Sequence, residues 1–298
     1  MEVCKLKPAL KHYLWGGKNL ISWGKETDQD SLSECWELSF HKDGLTLVDE
    51  INKPLKDLVS KEDLGTNLKQ FDFFPVLIKL IDSADNLSIQ VHPSDEYARK
   101  YENSLGKTEM WYILDAKENC GIYVGFKNQE NKETLKQSIE DDSIVDKLNF
   151  YKVKPGQCYF IPSGTIHAIG KGITLIEIQQ NSNITYRLYD YKRKDKDGNY
   201  RQLHIDKALE VVDFKPYVNP SFEYPCIGKS KYFASYQFDE RHNQIKANTK
   251  SFISITFIEG KGKVNDLDFV KGDTFFIPAS KTAYIKSSKC KYILTTIE

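Results

Sequence analysis

The chain has 298 residues, and its 42 Lys and Arg residues balance 42 Asp and Glu residues, so the formal net charge at pH 7 is +0. This balance argues against nucleic-acid coats and binders of acidic membranes, because both need a basic excess. Hydrophobic residues make up 40% and aromatic residues 12%, which is typical of a folded protein rich in β structure. A chain of this length can bury a sizeable core in one large domain or two smaller ones.

The sequence shows neither a membrane-spanning run nor a secretion signal, which favours the cytoplasm. The longest apolar run, residues 73–81, is interrupted by Lys79 and is shorter than the roughly 18 apolar residues of a membrane span. The N-terminus lacks the apolar segment of a secretion signal. The six cysteines are scattered and form no Cys-x-x-Cys pair. We therefore expect reduced thiols in a cytoplasmic protein.

The predicted elements are mostly short strands. Early in the chain, residues 53–69 are charged but carry Leu55, Leu58 and Val59 on one face, which predicts a helix. Further helices are predicted after a capping Ser94 and at residues 131–140 and 206–212. Residues 191–199 are charged and contain Asp-Gly, which predicts a solvated hairpin loop. Strands are predicted at residues 76–81, 87–91, 110–114, 121–126, 159–161, 173–179, 232–238, 252–258, 274–277, 283–286 and 291–297. So many short strands indicate a sandwich or barrel.

An internal repeat predicts two β units of related fold. Residues 155–162 and 271–278 both contain a Gly turn, a strand and a final Pro. Prolines cluster between the two units, near residues 215–225. We therefore predict a catalytic domain at residues 1–215 and a second domain at residues 216–298.

Three segments carry side chains suited to a metal ion. Gln90 and His92 lie two apart in a strand and so face the same side, while Glu109 begins an apolar strand. In residues 156–167, a Gly turn, a strand and a Pro-x-Gly bend deliver His167 to the start of another strand. On three neighbouring strand starts, these four side chains form a nitrogen and oxygen donor set without thiolate. Such a set suits zinc and, less well, other divalent ions. For each segment alone, a polar strand end without a metal is the alternative.

These segments resemble the two conserved motifs of the cupins, which are jelly-roll barrels. Nearly the whole chain is similar to the type I mannose-6-phosphate isomerases, and in particular to their short bacterial form. The similarity rests on Trp15-Gly16-Gly17 and on residues 34–39, 88–93, 106–109, 162–167 and 177–191. It implies a mainly β fold of two cupin barrels with a few helical insertions. The second barrel is expected to lack the metal site and to serve structure or dimerisation, because Ala283 takes the position equivalent to His167.

The resemblance also implies roles for individual residues. The family's zinc ligands, for one ion per chain, fall on His92, Glu109 and His167, with Gln90 as the fourth. Its active-site arginine falls on Arg187, and its proposed proton carrier falls on Glu177. Positions near the substrate phosphate fall on Lys79, Ser88 and Lys107.

The residues themselves leave structural alternatives to three of these roles. A carboxylate in an apolar strand, such as Glu177, is either salt-bridged or raised in pKa for chemistry. Arg187 stands among tyrosines and can stack on them. Lys79 either faces a cavity or an anion, or extends its ammonium group to solvent from a strand end.

We predict a zinc-dependent isomerase that interconverts mannose 6-phosphate and fructose 6-phosphate through a cis-enediol. Lys79 and Lys107 would anchor the phosphate, zinc and Arg187 would stabilise charge on the sugar oxygens, and Glu177 would carry the proton. Its partner would be a small-molecule sugar phosphate, with no nucleic acid or membrane, and the protein would be a monomer or homodimer. Another metal-dependent cupin enzyme, such as an iron dioxygenase, and a non-catalytic sugar-phosphate-binding cupin are the alternatives.

Overall fold

The computed structural model describes residues 1–194 and 197–298, and the fold is mainly β, as the composition predicts. The strands are β1 (Cys4–Lys7), β2 (Ala9–Lys11), β3 (Glu34–Leu38), β4 (Leu47–Val48), β5 (Lys53–Pro54), β6 (Val76–Ser83), β7 (Ile89–Val91), β8 (Glu109–Ala116), β9 (Gly121–Phe126), β10 (Leu148–Lys152), β11 (Cys158–Ile161), β12 (His167–Ile169), β13 (Ile173–Gln180), β14 (Tyr186–Tyr189), β15 (Cys226–Lys229), β16 (Ala234–Asp239), β17 (Gln244–Lys246), β18 (Ile253–Val264), β19 (Leu267–Val270), β20 (Thr274–Ile277), β21 (Thr282–Lys286) and β22 (Cys290–Thr296).

The helices are short and lie between the strands. They are α1 (Asn19–Ser22), α2 (Leu55–Leu58), α3 (Lys61–Leu64), α4 (Asp95–Tyr101), α5 (Lys132–Glu140), α6 (Ile144–Lys147) and α7 (Ile205–Val211), with a 3₁₀ helix at Thr66–Gln70. Within the two described ranges, no helix has the length and apolar character needed to cross a membrane.

The strands form antiparallel sheets, two of which face each other. A six-stranded sheet has the order β11-β8-β13-β6-β3-β2, and a five-stranded sheet has the order β10-β9-β12-β7-β14. Apolar side chains that include Trp111, Ile122 and Leu175 fill the space between these two sheets. Helices α5, α6 and α7 contribute Leu135, Ile144 and other apolar side chains to a second cluster on the five-stranded sheet. The two sheets thus make a sandwich that contains an apolar cluster.

An eleven-stranded sheet dominates the C-terminal region. Its main path is β15-β16-β22-β18-β20-β1-β4-β5, with β17, β19 and β21 attached beside it. Strands β1, β4 and β5 come from the N-terminal part of the chain, and Cys4 of β1 pairs with Phe276 of β20. A shared core that includes Leu80, Ile176, Phe233 and Phe276 joins this region to the six-stranded sheet. The division at residue 215 and the two-barrel arrangement stay predictions.

The C-terminal region contains the second copy of the sequence repeat. Gly156 and Gly272 both have positive φ, 91° and 93°, and a strand follows each of them. The predicted turn and strand are therefore confirmed in both copies. Ala283 is fully buried in an apolar cluster with Ile255 and Phe275, which gives that position no metal-binding side chain.

The helical character predicted for residues 53–69 is confirmed, but the segment is divided into α2, α3 and the 3₁₀ helix instead of forming one helix. The backbone is extended at Val59, and a new helix then begins at α3 because Ser60 caps it: the Ser60 side chain accepts from Asp63 N at 3.2 Å, and Ser60 N donates to Asp63 Oδ2 at 2.8 Å. Gly65, with φ +91°, ends this helix after one turn. Of the predicted 191–199 hairpin, residues 195–196 lie outside the described residues, and Lys194 bridges Tyr200 antiparallel at its base.

Candidate active site and metal centre

Strand register sets one row of polar side chains across the six-stranded sheet. Trp36 lies opposite Lys79, Lys79 opposite Glu177, and Glu177 opposite Trp111. Because successive side chains of a strand point to opposite faces, Glu109 shares the face of Trp111, two residues away. The neighbours of these polar residues on the strands are apolar and pack towards the C-terminal region. This row therefore points into the sandwich.

The five-stranded sheet presents a second row that faces the first. Arg187 lies opposite Gln90, and Gln90 lies opposite His167. His92 follows directly after β7, on the same face as Gln90. Across the sandwich, His167 Nε2 lies 3.2 Å from Glu109 Oε1. The expectation of three neighbouring strands was wrong in this respect, because β8, which carries Glu109, belongs to the opposite sheet.

His92, Glu109 and His167 form a buried cluster whose candidate ligand atoms all lie within 4.8 Å of one another. The two Nε2 atoms are 3.2 Å apart, and His92 Nε2 is 3.5 Å from Glu109 Oε2. Donor atoms that lie about 2.1 Å from a tetrahedral zinc ion are about 3.4 Å apart. Among the described residues, neither oxygen of Glu109 accepts a well-aligned hydrogen bond, although both are buried. The three side chains therefore fit a metal ion by spacing and by donor type, although the Lys107 ammonium group lies 2.9 Å from Glu109 Oε2.

The protonation states of His92 and His167 also suit metal binding. Burial lowers the pKa of His167 to about 4, and burial together with the charge of Lys107 lowers the pKa of His92 well below its usual value. Both rings are therefore neutral at physiological pH. His167 Nδ1 donates to the carbonyl of Thr165 at 2.8 Å, which leaves Nε2 with a free lone pair facing Glu109. Burial and the charge of Glu177 raise the pKa of Glu109 to about 7.

Gln90 and Lys107 border this cluster. Gln90 Nε2 lies 3.3 Å from His167 Nε2, and a half-turn of the amide would bring its oxygen, the atom that binds metals, to the same place. Lys107 Nζ lies 2.9 Å from both His92 Nε2 and Glu109 Oε2. The ammonium group of Lys107 is thus in contact with the metal-ligand candidates.

Two carboxylates of the cleft share a similar setting around Lys79. Glu177 Oε1 lies 3.1 Å and Glu34 Oε2 lies 3.6 Å from Lys79 Nζ. Each also accepts an indole N–H, from Trp111 at 2.9 Å and from Trp36 at 2.7 Å. Burial alone would raise the pKa of Glu177, but nearby cations, Lys79 foremost, lower it to about 2. Of the two alternatives for Glu177, a salt bridge or a raised pKa, the structure thus shows the salt bridge. Lys79 faces the cleft.

The mouth of the cleft is positively charged. Arg187 Nε donates to Ser88 Oγ at 3.3 Å, and Nη1 donates to the carbonyl of Gln202 at 2.8 Å. Burial lowers the pKa of Arg187, and the charges of Arg201 and Arg193 lower it further, while Asp190 opposes them. Arg201 Nε in turn donates to Asp190 Oδ2 at 2.7 Å. Within the described ranges, the contacts of the Arg187 guanidinium are polar, with no tyrosine ring stacked on it.

One cleft of about 300 Å³ brings the sequence-predicted residues together. Six of them line it: Lys79, Ser88, Gln90, Lys107, Glu177 and Arg187. The other three, His92, Glu109 and His167, contact Lys107 or Gln90 directly.

Sequence reasoning missed several lining residues, which include Tyr13, Trp15, Glu34, Asn183, Thr185 and Arg201. Four of them, Trp15, Glu34, Asn183 and Thr185, stand in the motifs that carry the family resemblance, so a signal for them existed. The loop that carries Trp15 needs a glycine at residue 17, because a Cβ atom on that residue would lie 2.2 Å from Asp82 Oδ2. Arg201 follows a charged loop and has no local pattern that marks it.

Comparisons with known proteins agree with this geometry. Residues 3–132 match the family model described as phosphomannose isomerase type I, catalytic domain. The chain is 36% identical over 291 residues to the mannose-6-phosphate isomerase ManA of Bacillus subtilis, covering 91% of each chain. It is 33% identical over 290 residues to the mannose-6-phosphate isomerase of Streptococcus mutans, covering 92% of this chain and 91% of that protein.

A solved structure is similar over the full length. The crystal structure of the mannose 6-phosphate isomerase from Bacillus subtilis matches with a TM-score of 0.86 and 34% identity over 99% of each chain. This likeness confirms the mainly β cupin fold that the motifs implied.

Proposed function

Because the chain belongs to the type I mannose-6-phosphate isomerase family, we propose that it is a zinc-dependent enzyme that interconverts mannose 6-phosphate and fructose 6-phosphate through a cis-enediol. One observation carries the proposal: a single cleft joins a buried His/Glu/His cluster, an ionised carboxylate and a cationic mouth. The reaction moves a proton between C2 and C1 of the open-chain sugar. It therefore needs a phosphate site, stabilisation of charge on two oxygens, and a proton carrier.

The metal would be one zinc ion per chain, held by His92, Glu109 and His167 with Gln90 as the fourth ligand. The absence of thiolate from this set and the neutral imidazoles favour zinc. When bound, zinc supplies a Lewis acid that polarises the sugar oxygens. Arg187, whose backbone pairs with that of Gln90, would add positive charge on the same oxygens.

The phosphate would bind at the mouth near Ser88 and Arg201, which leaves Arg187 to the sugar oxygens. A phosphate dianion matches the charge of Arg201, because guanidinium groups bind phosphate well. Lys79 contacts Glu177, and Lys107 contacts the metal-ligand candidates. We therefore assign these two lysines to the sugar oxygens near the floor of the cleft rather than to the phosphate.

Glu177 would carry the proton. Its carboxylate is ionised at physiological pH because its pKa is about 2, and it lines the cleft beside Lys79. A carboxylate of so low a pKa is a weak base. A substrate oxygen that draws the Lys79 ammonium group away from Glu177 would raise the pKa of the carboxylate, so binding itself would activate the base.

Glu177→Gln and Glu34→Gln form a matched pair that tests this role. Each variant keeps the shape of the side chain. Each removes one carboxylate that lies beside Lys79 and accepts an indole N–H. Exchange of the C2 proton with solvent deuterium should fall by about 10²–10⁴-fold in Glu177→Gln, while Glu34→Gln should lose much less. Near-normal exchange in Glu177→Gln with full metal content would show that the base lies elsewhere.

The whole proposal is tested by metal analysis of the purified protein alongside a coupled mannose-6-phosphate isomerase assay. Zinc at one ion per chain with turnover of mannose 6-phosphate supports it, and iron without isomerase activity would favour the dioxygenase alternative. The cationic mouth favours a sugar phosphate over the iron-dioxygenase alternative, which needs no phosphate site. The presence of Glu177 and Arg187 disfavours a non-catalytic binding protein. We further infer a cytoplasmic monomer or homodimer with reduced thiols. The balanced charge favours neither nucleic acid nor an acidic membrane as a partner.

A further inference from the structure

The segment that brings Lys107 and Glu109 to the metal-ligand cluster is tied to the C-terminal region. We propose that Tyr232, acting through Asp95, is a positioning residue for this segment, residues 106–109. The inference rests on the proposed function for its kinetic part. Its structural part, the ordering of residues 106–109, stands without it.

Residues 106–109 are held mainly through their backbone. Gly106 N donates to Asp95 Oδ1 at 2.9 Å, and Thr108 N donates to Gln180 Oε1 at 2.8 Å. Gln180 N also donates to the carbonyl of Thr108 at 3.0 Å. Only glycine fits at residue 106, because a Cβ there would lie 2.5 Å from Asp95 N. The path of the segment therefore depends on where Asp95 and Gln180 stand.

Asp95 is the point at which these bonds meet. Its Oδ1 also accepts from Gln180 Nε2 at 2.8 Å, so the two anchors hold each other. Its Oδ2 accepts from the Tyr232 hydroxyl at 2.5 Å. Gln180 is only 1% exposed and ends the strand that carries Glu177. A shift of Asp95 would thus move both residues 106–109 and the end of the strand that carries Glu177.

Tyr232 is itself fixed by the C-terminal region. It lies between β15 and β16, its backbone N donates to Ser230 Oγ at 3.1 Å, and its ring lies 6.4 Å from that of Phe71. The side chain is 9% exposed and belongs to the core shared with the six-stranded sheet. A region that supplies none of the candidate metal ligands therefore reaches the segment that supplies one.

The positions of Lys107 and Glu109 leave little tolerance. Lys107 Nζ lies 2.9 Å from both Glu109 Oε2 and His92 Nε2. Misplacement of such groups by about 1 Å is enough to cost activity at a site of this kind. Loss of the Tyr232 hydroxyl should therefore loosen residues 106–109 and lower kcat more than it raises KM.

Tyr232→Phe is the test, and Tyr236→Phe is its matched control. Tyr236 donates its hydroxyl to Glu298, so the control removes another tyrosine–carboxylate bond in the same region, away from the cleft. Amide hydrogen exchange is measured at residues 105–112 in protein stripped of metal by a chelator. Loss of one hydrogen bond typically changes an equilibrium by about 3- to 10-fold, so we expect about 3- to 10-fold faster exchange in Tyr232→Phe alone. Equal exchange in the two variants would overturn the proposal.

A second variant tests the route. In an Asp95→Ala background, where the side-chain oxygens of Asp95 are gone, adding Tyr232→Phe should change the exchange at residues 105–112 no further. A full additional increase would overturn the path through Asp95. Because exchange is read on metal-free protein, it decides the proposal even if the isomerase assay fails. With metal restored, kcat for mannose 6-phosphate should fall about 3- to 10-fold in Tyr232→Phe with little change in KM, and a pure KM effect would contradict positioning.

Discussion

Lys79→Met removes the ammonium group that lies 3.1 Å from Glu177 and 3.6 Å from Glu34. Methionine keeps the unbranched stem and nearly the length of lysine, so the change is mainly one of charge. The side chains of the three residues are only 4% to 10% exposed, so water has little access to replace the lost partner. The variant therefore leaves a buried carboxylate beside an apolar side chain.

The pKa of Glu177 gives the size of the stability loss expected in Lys79→Met. Burial alone would raise it, yet the cations around it bring it from 4.5 to about 2. That difference corresponds to about 3 kcal/mol of stability at neutral pH. Breaking a buried ion pair by removing one partner costs about 3–5 kcal/mol. Since Lys107, 4.0 Å from Glu177, remains in the variant, we expect the lower end, a loss of about 3 kcal/mol at pH 7.

Equilibrium urea unfolding at pH 7 and at pH 4 measures the loss. In the wild type, the contribution of Glu177 is complete above pH 4.5 and disappears as the pH falls from 4.5 to about 2. In Lys79→Met, burial raises the pKa of Glu177, so protonation relieves the cost as the pH falls. The stability gap between the two proteins should therefore narrow from pH 7 to pH 4.

Lys207→Met is the control for burial. Lys207 Nζ lies 2.7 Å from Glu102, but the two side chains are 52% and 23% exposed. Loss of such a surface pair should cost less than about 1 kcal/mol. Equal losses in the two variants, or a gap for Lys79→Met that widens in acid, would refute the reasoning about the buried carboxylate.

Two further predictions concern the metal ligands and the mouth of the cleft. His92→Ala should lose zinc and activity together, while Gln90→Ala should lose less of both, since a neutral amide oxygen is the weakest of the four ligands. Metal analysis alongside the isomerase assay tests this prediction. Full zinc content in His92→Ala would contradict the proposed metal site. Arg201→Ala should raise KM for mannose 6-phosphate by about 10-fold or more and change the value for mannose less. Arg193→Ala, which loses a guanidinium bound to the same Asp190, should do little because Arg193 lines a neighbouring cavity, and equal effects of the two variants would show that the arginines serve the fold.

Local sequence patterns predicted several strands of the two facing sheets and of the C-terminal region. The bounds of Gly121–Phe126 and Thr274–Ile277 agree with the predicted residues, and Ser94 caps the helix Asp95–Tyr101. The alternation that put Gln90 and His92 on one face is confirmed, since both approach His167. These features depend on neighbours in the chain, which is why the pattern of residues is sufficient to predict them.

Features that depend on distant partners were not predicted. Strands β1 and β2 are only four and three residues long, contain lysines, and owe their order to partners elsewhere in the chain. The assignment of Glu109 to the sheet opposite His167 follows from the order of strands, which residue patterns do not encode. Arg201 reaches the cleft because Asp190 holds it, and that contact is set by the fold of the loop between them.

The pairing of β1 with β20 has a consequence for how the protein is made. Residue 4 lies opposite residue 276, so β1 cannot complete its pairing before β20 has been synthesised. Until then β1 has a partner in β4 on one side only, and its other edge stays open to unwanted strands. Closing so long a loop is slow, and exposed edges make nascent chains prone to aggregation. The two facing sheets with the cleft consist of residues made earlier than β20, so they would form before β20 reaches β1.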